Sequence, residues 1–278
     1  MSGRTDLPVW FGWVLLFGVL IAGTPAVATE LVQAAVIRSQ GTQFLGMTIW
    51  NELNTGWSDF GNTPVQIDYT SLAGNNLTLP QIQDTDADVL ILSCPGFLTY
   101  KTSEIDAIIS YVNAGHGLII SYGNFRSEDR RLAPLVGLSE STSLGTATWP
   151  DPFSFELIVP QHPVLSGLSS SYTTGVRVLA SPIQGSQWQI ATTATVLAEA
   201  RPTFQQFIGD GIILANETED YRGLYFAHYI ENKSGGSNQQ DMQVLYNGLL
   251  WTAGVPEPAT GLLSIIGMTA LLRRRREG

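Results

Sequence analysis

Apolar residues recur along the chain in short runs, and their spacing changes from segment to segment. "LVQAAVIRS" (31–39) reads as a strand, and "FLGMTIWNELNTG" (44–56) as a helix that stops at Gly56. "PVQIDYT" (64–70) is a second strand. "ADVLILSC" (87–94) is an almost unbroken apolar run, as expected of a parallel strand buried on both faces. "TSEIDAIISYVNAG" (102–115) predicts a helix with a Ser/Thr cap and acids in its first turn. It places Ile105, Ile108, Ile109 and Val112 on one face and stops at Gly115. "GLIISYG" (117–123) is another buried strand. This βαβαβαβ order with short turns predicts a parallel sheet with helices on both faces.

The second half is richer in strands. They are "FSFELIV" (153–159), "VRVLA" (176–180), "TVLAEA" (195–200), "GIILAN" (211–216) and "GLYFAHY" (223–229). "QDMQVLYNGLLWTAG" (240–254) closes the body as a helix, with Met242, Leu245, Leu249 and Leu250 at helical spacing. No internal repeat is present. The predicted whole is one α/β domain over 29–254, with a mostly parallel sheet, flanking helices and extra strands in the second half.

The two ends follow a different pattern. Arg4 precedes the apolar run "VWFGWVLLFGVLIAG" (9–23), and Ala26-Val27-Ala28 gives the small-x-small order that signal peptidase reads. Residues 1–28 are therefore expected to be a signal peptide handled by the Sec machinery and cut after Ala28. The alternative is an uncleaved anchor, but the run is shorter than the roughly 20 residues of a span. At the other end, residues 259–272 form a second apolar run, about 21 Å long as a helix at about 1.5 Å per residue. That is marginal against a hydrocarbon core about 30 Å thick. Arg273, Arg274, Arg275 and Arg276 follow it, a basic cluster that the positive-inside rule keeps on the cytoplasmic side.

Composition sharpens this division. The chain has 278 residues, 44% hydrophobic and 14% charged, with net charge −10. Without residues 1–28 and 257–278 the body keeps nine basic and 21 acidic residues, a net charge of −12. Such a body does not suit nucleic acid, whose phosphates need Lys and Arg. Cys94 is the one cysteine, so no internal disulfide forms. His116, His162 and His228 have no paired-ligand spacing, and neither a metal nor a cofactor is expected.

The tail, Val255-Pro256-Glu257-Pro258 followed by the apolar 261–272 and Arg273 to Arg276, resembles the PEP-CTERM sorting signal. The resemblance covers the last 24 residues, 255–278, as the sorting tail. It implies recognition by an exosortase that processes the tail near Pro256, Glu257 and Pro258. It also implies a bacterium of Gram-negative type that makes exopolysaccharide, and a membrane anchor that lasts only until processing. The exported body would then reach the cell surface or the extracellular space.

The body itself, through "DADVLILSCPGF", "GHGLIISYGNF", "PQHPVLSGL" and "GLYFAHY…LLWTAG", resembles the class I glutamine amidotransferase-like, flavodoxin-like fold. Its secreted ThuA-like members are the nearest in pattern. Working members of that superfamily carry a cysteine at a G-x-C-x-G elbow; the matching turn here is "IISYGNF", where Tyr122 stands in its place. A phenol with a pKa near ~10 is a poor replacement for a thiol near ~8.5. Cys94 ends the preceding strand instead, and Pro95 removes a backbone donor beside it. The family's late F-H-P-E pattern is matched in part by "YFAHYIE", with His228 and Glu231 three apart. Cys94, Tyr122, His228 and Glu231 are thus the candidates for one crevice, with Cys94 and His228 as a conceivable nucleophile and base. The competing readings are an inert buried thiol and a hydrogen-bonded structural histidine.

His162 is expected to stabilise its own turn, and His116 to sit at a helix end. The acids "ETED" (217–220) read as a solvated loop. Trp149 and Trp188 are candidates for stacking on sugar rings, with edge packing as the alternative. Three functions follow: a non-catalytic exported surface or matrix protein, a secreted ThuA-like hydrolase, and a carbohydrate-binding protein acting on exopolysaccharide.

Replacing Pro256, Glu257 and Pro258 by alanine is expected to leave an uncleaved, membrane-held chain, as seen by fractionation and blotting. Normal maturation and release of that variant would remove the sorting reading.

Overall fold

The computed structural model describes residues 31–38, 47–68, 76–93, 100–121, 127–139, 144–148, 153–169, 171–174, 178–182, 190–200, 213–228, 230 and 239–254. All of them belong to the unit that begins at Leu31. The segments read as signal peptide and sorting tail, with Ala26, Ala28, Pro256, Glu257, Pro258 and Arg273 to Arg276, lie outside these residues. Among the described residues, no helix is long and apolar enough to cross a membrane.

The first half follows its apolar pattern closely. Strand β1 is Val32–Arg38, helix α1 is Met47–Gly56 and strand β2 is Val65–Asp68. A short helix α2, Leu79–Gln83, starts at Thr78, whose backbone N–H donates to Gln81 Oε1. Strand β3, Val89–Ser93, leads to helix α3, Thr102–Val112, and strand β4, Gly117–Ser121. The expected Ser/Thr cap of α3 is corrected by one position. Lys101 is the N-cap, and Glu104 closes the turn by accepting from the Lys101 amide at 2.8 Å and from the Leu77 amide at 3.0 Å. Glu104 is thereby buried with both carboxylate oxygens satisfied. Gly115, at φ +106°, ends the helical segment as its position suggested.

A 3-10 helix over Ser127–Val136 follows. Then come strands β5 (Leu144–Thr148), β6 (Phe153–Leu157), β7 (Ser171–Thr174), β8 (Val178–Pro182), β9 (Ala194–Ala200), β10 (Ile213–Glu217) and β11 (Arg222–Phe226). Helix α4, Gln239–Thr252, is the last described element. Nine strands form one sheet in the order β2-β1-β3-β4-β11-β10-β9-β6-β7, while β5 and β8 pair separately.

The sheet is α/β in its layering, and its strand directions divide it in two. From β2 to β11 the four pairings are parallel. From β11 to β7 the four pairings are antiparallel. The expected parallel order therefore holds for half of the sheet, and the second half corrects it. The reason is chain length. Only residues 218–221 separate β10 from β11, too few for a crossover, and the Thr218 hydroxyl closes that turn through Tyr221.

Two adjacent residues of β11 locate the faces. A Cβ on Gly223 would lie 2.0 Å from Leu135 O, in the 3-10 helix over Ser127–Val136. A Cβ on Gly248 of α4 would meet Leu224 Cδ2 at 2.7 Å, so Leu224 looks toward α4. Neighbouring strand residues point to opposite faces, so the 3-10 helix and α4 cover opposite sides. Helix α1 contacts α4, and α3 contacts both α2 and the 3-10 helix, which completes three layers. Between them Val89, Leu90, Ile91 and Leu92 of β3 are fully buried, which explains their unbroken apolar run.

Asn216 ties the 3-10 helix down. Its Nδ2 donates to Pro134 O and Leu135 O at 3.1 and 3.2 Å, and its Oδ1 accepts from Thr193 Oγ1 at 2.7 Å. Because the backbone of Leu135 is held there, Gly223→Ala has no room to relax. It is expected to cost about 3 kcal/mol, read as a lower urea midpoint with unchanged slope.

Candidate functional site

Strands β1, β3, β4 and β11 all run the same way, so their C-terminal ends share one side of the sheet. The register there places Arg38 beside Ser93, Ser93 beside Ser121, and Ser121 beside Phe226. The order 2-1-3-4 reverses direction between β1 and β3, and open α/β sheets form their crevice at such a point. Cys94 follows β3 in sequence and Tyr122 follows β4, so both candidates belong to chain that continues from this row. Cys94, Tyr122 and Glu231 themselves lie outside the described residues, as do Trp149 and Trp188.

His228 is described, two residues past the end of β11. It is completely buried. Phe155 lies 5.1 Å from it between ring centroids, and Phe226 stands edge-on at 5.7 Å and 88°. Burial alone pushes its pKa down from 6.5 to about 3, because an imidazolium in that setting loses its water. At neutral pH the ring is uncharged. A general base working near pH 7 needs a pKa near that value and a route to the proton it takes. Burial instead leaves His228 a weakly basic ring with no exposed surface.

Ser121, in the same register row, is also fully buried, and its Oγ has no hydrogen-bond partner in the structure. It occupies the same face of β4 as Ile119, which approaches Gly248 of α4. Sequence reading passed over Ser121 because a serine inside "LIISY" carries no motif. Its place at a parallel strand end is the only local signal that marks it.

The other two histidines serve the scaffold. His162 caps the 3-10 helix Pro163–Leu165, its Nδ1 accepting from the Val164 amide at 3.3 Å, which agrees with the expected turn-stabilising role. Its ring meets Trp251 edge-on at 5.1 Å. Arg222 lies over the same tryptophan at 5.4 Å, donates to Trp251 O at 3.1 Å and pairs with Glu217 at 2.7 Å. His116 stacks on Tyr111 at 3.9 Å. Among the described residues, no group of three or more His, Cys, Asp or Glu side chains is arranged to hold a metal.

Burial, the largest influence, lowers the His162 pKa to about 4; Glu217 opposes that shift and Arg222 adds to it. Above pH 6.5 the ring is neutral both folded and unfolded. As pH falls from about 6.5 toward 4, the unfolded chain takes up a proton that the folded chain refuses, so stability falls. His162→Asn keeps a capping acceptor and removes the titration. Urea melts across this pH range are expected to show a shallower loss of stability for the variant than for the wild type.

No protein-family model and no curated protein matches the sequence. Solved structures do match the fold. A ThuA-like protein from Bacteroides uniformis superposes with a TM-score of 0.54 at 16% identity, covering 83% of this chain and 95% of that one. A ThuA-like protein from Parabacteroides merdae gives 0.53 at 11% identity, covering 80% and 89%. A cytoplasmic protein from Salmonella typhimurium gives 0.50 at 14% identity, covering 80% and 98%. At these identities the likeness is one of fold, and the ThuA-like architecture expected for the body is the one found.

Proposed function

We propose that this is an exported bacterial protein, delivered to the cell surface or extracellular matrix by an exosortase, whose ThuA-like domain is non-catalytic. The observation that carries the sorting half is the tail: Pro256-Glu257-Pro258, the apolar 261–272 and Arg273 to Arg276 stand in order after the last described helix. Together with the N-terminal apolar run and Ala26-Val27-Ala28, it supports export, signal-peptidase cleavage and a transient hold at the membrane. Exopolysaccharide is the proposed surrounding and partner of the released body.

Two features support the non-catalytic half. The elbow position carries Tyr122, whose hydroxyl is a weak nucleophile near neutral pH. The late histidine, His228, is fully buried against Phe155 and Phe226, and burial pushes its pKa down, which makes it a weak base. Fold likeness to ThuA-like proteins supplies no activity by itself.

Purified chain and its Cys94→Ala variant, assayed on amide, ester and glycoside substrates, test this reading. Both are expected to show the same background rate. Hydrolysis by the wild type that Cys94→Ala abolishes would establish the hydrolase reading in its place.

A further inference from the structure

Among the described residues, the nine-stranded sheet ends in β2 on one side and β7 on the other. A terminal strand carries backbone N–H and C=O groups on the side away from its described neighbour, the arrangement by which a strand recruits another strand. In this protein both edges are met by side chains from elsewhere. On β2, the Ile67 amide donates to Asn54 Oδ1 of α1 at 2.8 Å. On β7, the Thr173 amide donates to Gln240 Oε1 in the first turn of α4 at 2.9 Å. Beside it, Ser171 O accepts from Ser169 Oγ at 2.7 Å.

We propose that Asn54 and Gln240 act as edge caps that prevent a second copy of this chain from extending the sheet. The geometry is specific to that task. Each amide side chain gives a single acceptor to an outward backbone donor, and each is carried by a helix fixed on the sheet, not by the edge strand. Each edge strand spans four described residues, Val65–Asp68 and Ser171–Thr174, so occupying one donor there removes a large share of what a pairing partner would bind along them. The partner excluded is another copy of the same chain. Antiparallel β7 and parallel β2 present similar short, mixed-polarity edges to their own kind. The choice of a second copy as the excluded partner rests on the proposed export: a protein held at a surface meets its own copies at high local concentration, where an unprotected edge would drive uncontrolled association.

Sedimentation velocity on the full-length chain in mild detergent, which shields the two apolar end segments, tests the proposal. The wild type is expected to keep the mass of one chain as concentration rises. The Asn54→Ala/Gln240→Ala double variant is expected to reach at least double that mass. The Asn54→Asp/Gln240→Glu double variant, which keeps an acceptor at each site, is expected to stay monomeric. Hydrogen exchange on the wild type provides an arm independent of variant folding, with the Ile67 and Thr173 amides expected to be protected. Unprotected amides overturn the proposal, as does a folded alanine double variant that stays monomeric. Concentration-dependent association of the wild type through residues 65–68 or 171–174 overturns it equally.

Discussion

The close approach of α4 to the centre of the sheet is the contact on which most of this structure depends. Gly248 allows it: any side chain there would collide with Leu224 of β11. Once the helix is that close, its polar residues reach segments far away in sequence. The Tyr246 hydroxyl accepts from the Thr63 amide at 3.0 Å and donates to Thr63 O at 2.9 Å, across 183 positions. Gln243 Nε2 donates to Phe60 O, and Asn247 Nδ2 donates to Val164 O and Ser166 O. Each such bond is worth only about 1 kcal/mol net. Their larger effect is to satisfy loop backbone that packing takes out of water, so that the segments at 60–63 and 164–166 are fixed by one helix.

Strand β11 is the second organising element. It lies between β4 and β10, parallel to one and antiparallel to the other, and so joins the parallel half of the sheet to the antiparallel half. Continuing two residues beyond its end brings His228 into the interior against Phe155 and Phe226. The position that made His228 a candidate base in the sequence makes it part of the core in the structure. Packing and chemistry compete for one ring, and burial determines its charge state. The likeness to ThuA-like structures at 16% identity or less fits that division, because layer packing survives sequence change that side-chain chemistry does not.

Much of this architecture was legible in the residues. The unbroken "VLIL" of β3, the glycine stop at 115 and the 3.6-residue spacing of α3 and α4 each marked an element, because burial on one or two faces imposes those patterns locally. The turn role of His162 was legible for the same reason, since a residue before Pro163 has few other conformations. Strand direction in the second half was harder to read. A run such as "IILAN" looks alike in a parallel or an antiparallel pair, and only the short link at 218–221 separates the two. Lys101 as the cap of α3 was hidden because the capping group is Glu104 reaching back, and lysine is no usual signal.

The sequence by itself determined the α/β class, the positions of most strands and helices, and the separate character of the two ends. Those properties arise from periodicity, composition and short motifs that need no distant partner. Tertiary structure alone decided the burial of His228 and Ser121, the approach of α4 and the hydrogen bonds of Asn54 and Gln240 to the Ile67 and Thr173 amides. The hydrogen bonds that fix these features join groups from 13 to 183 positions apart, and no local pattern encodes such a meeting.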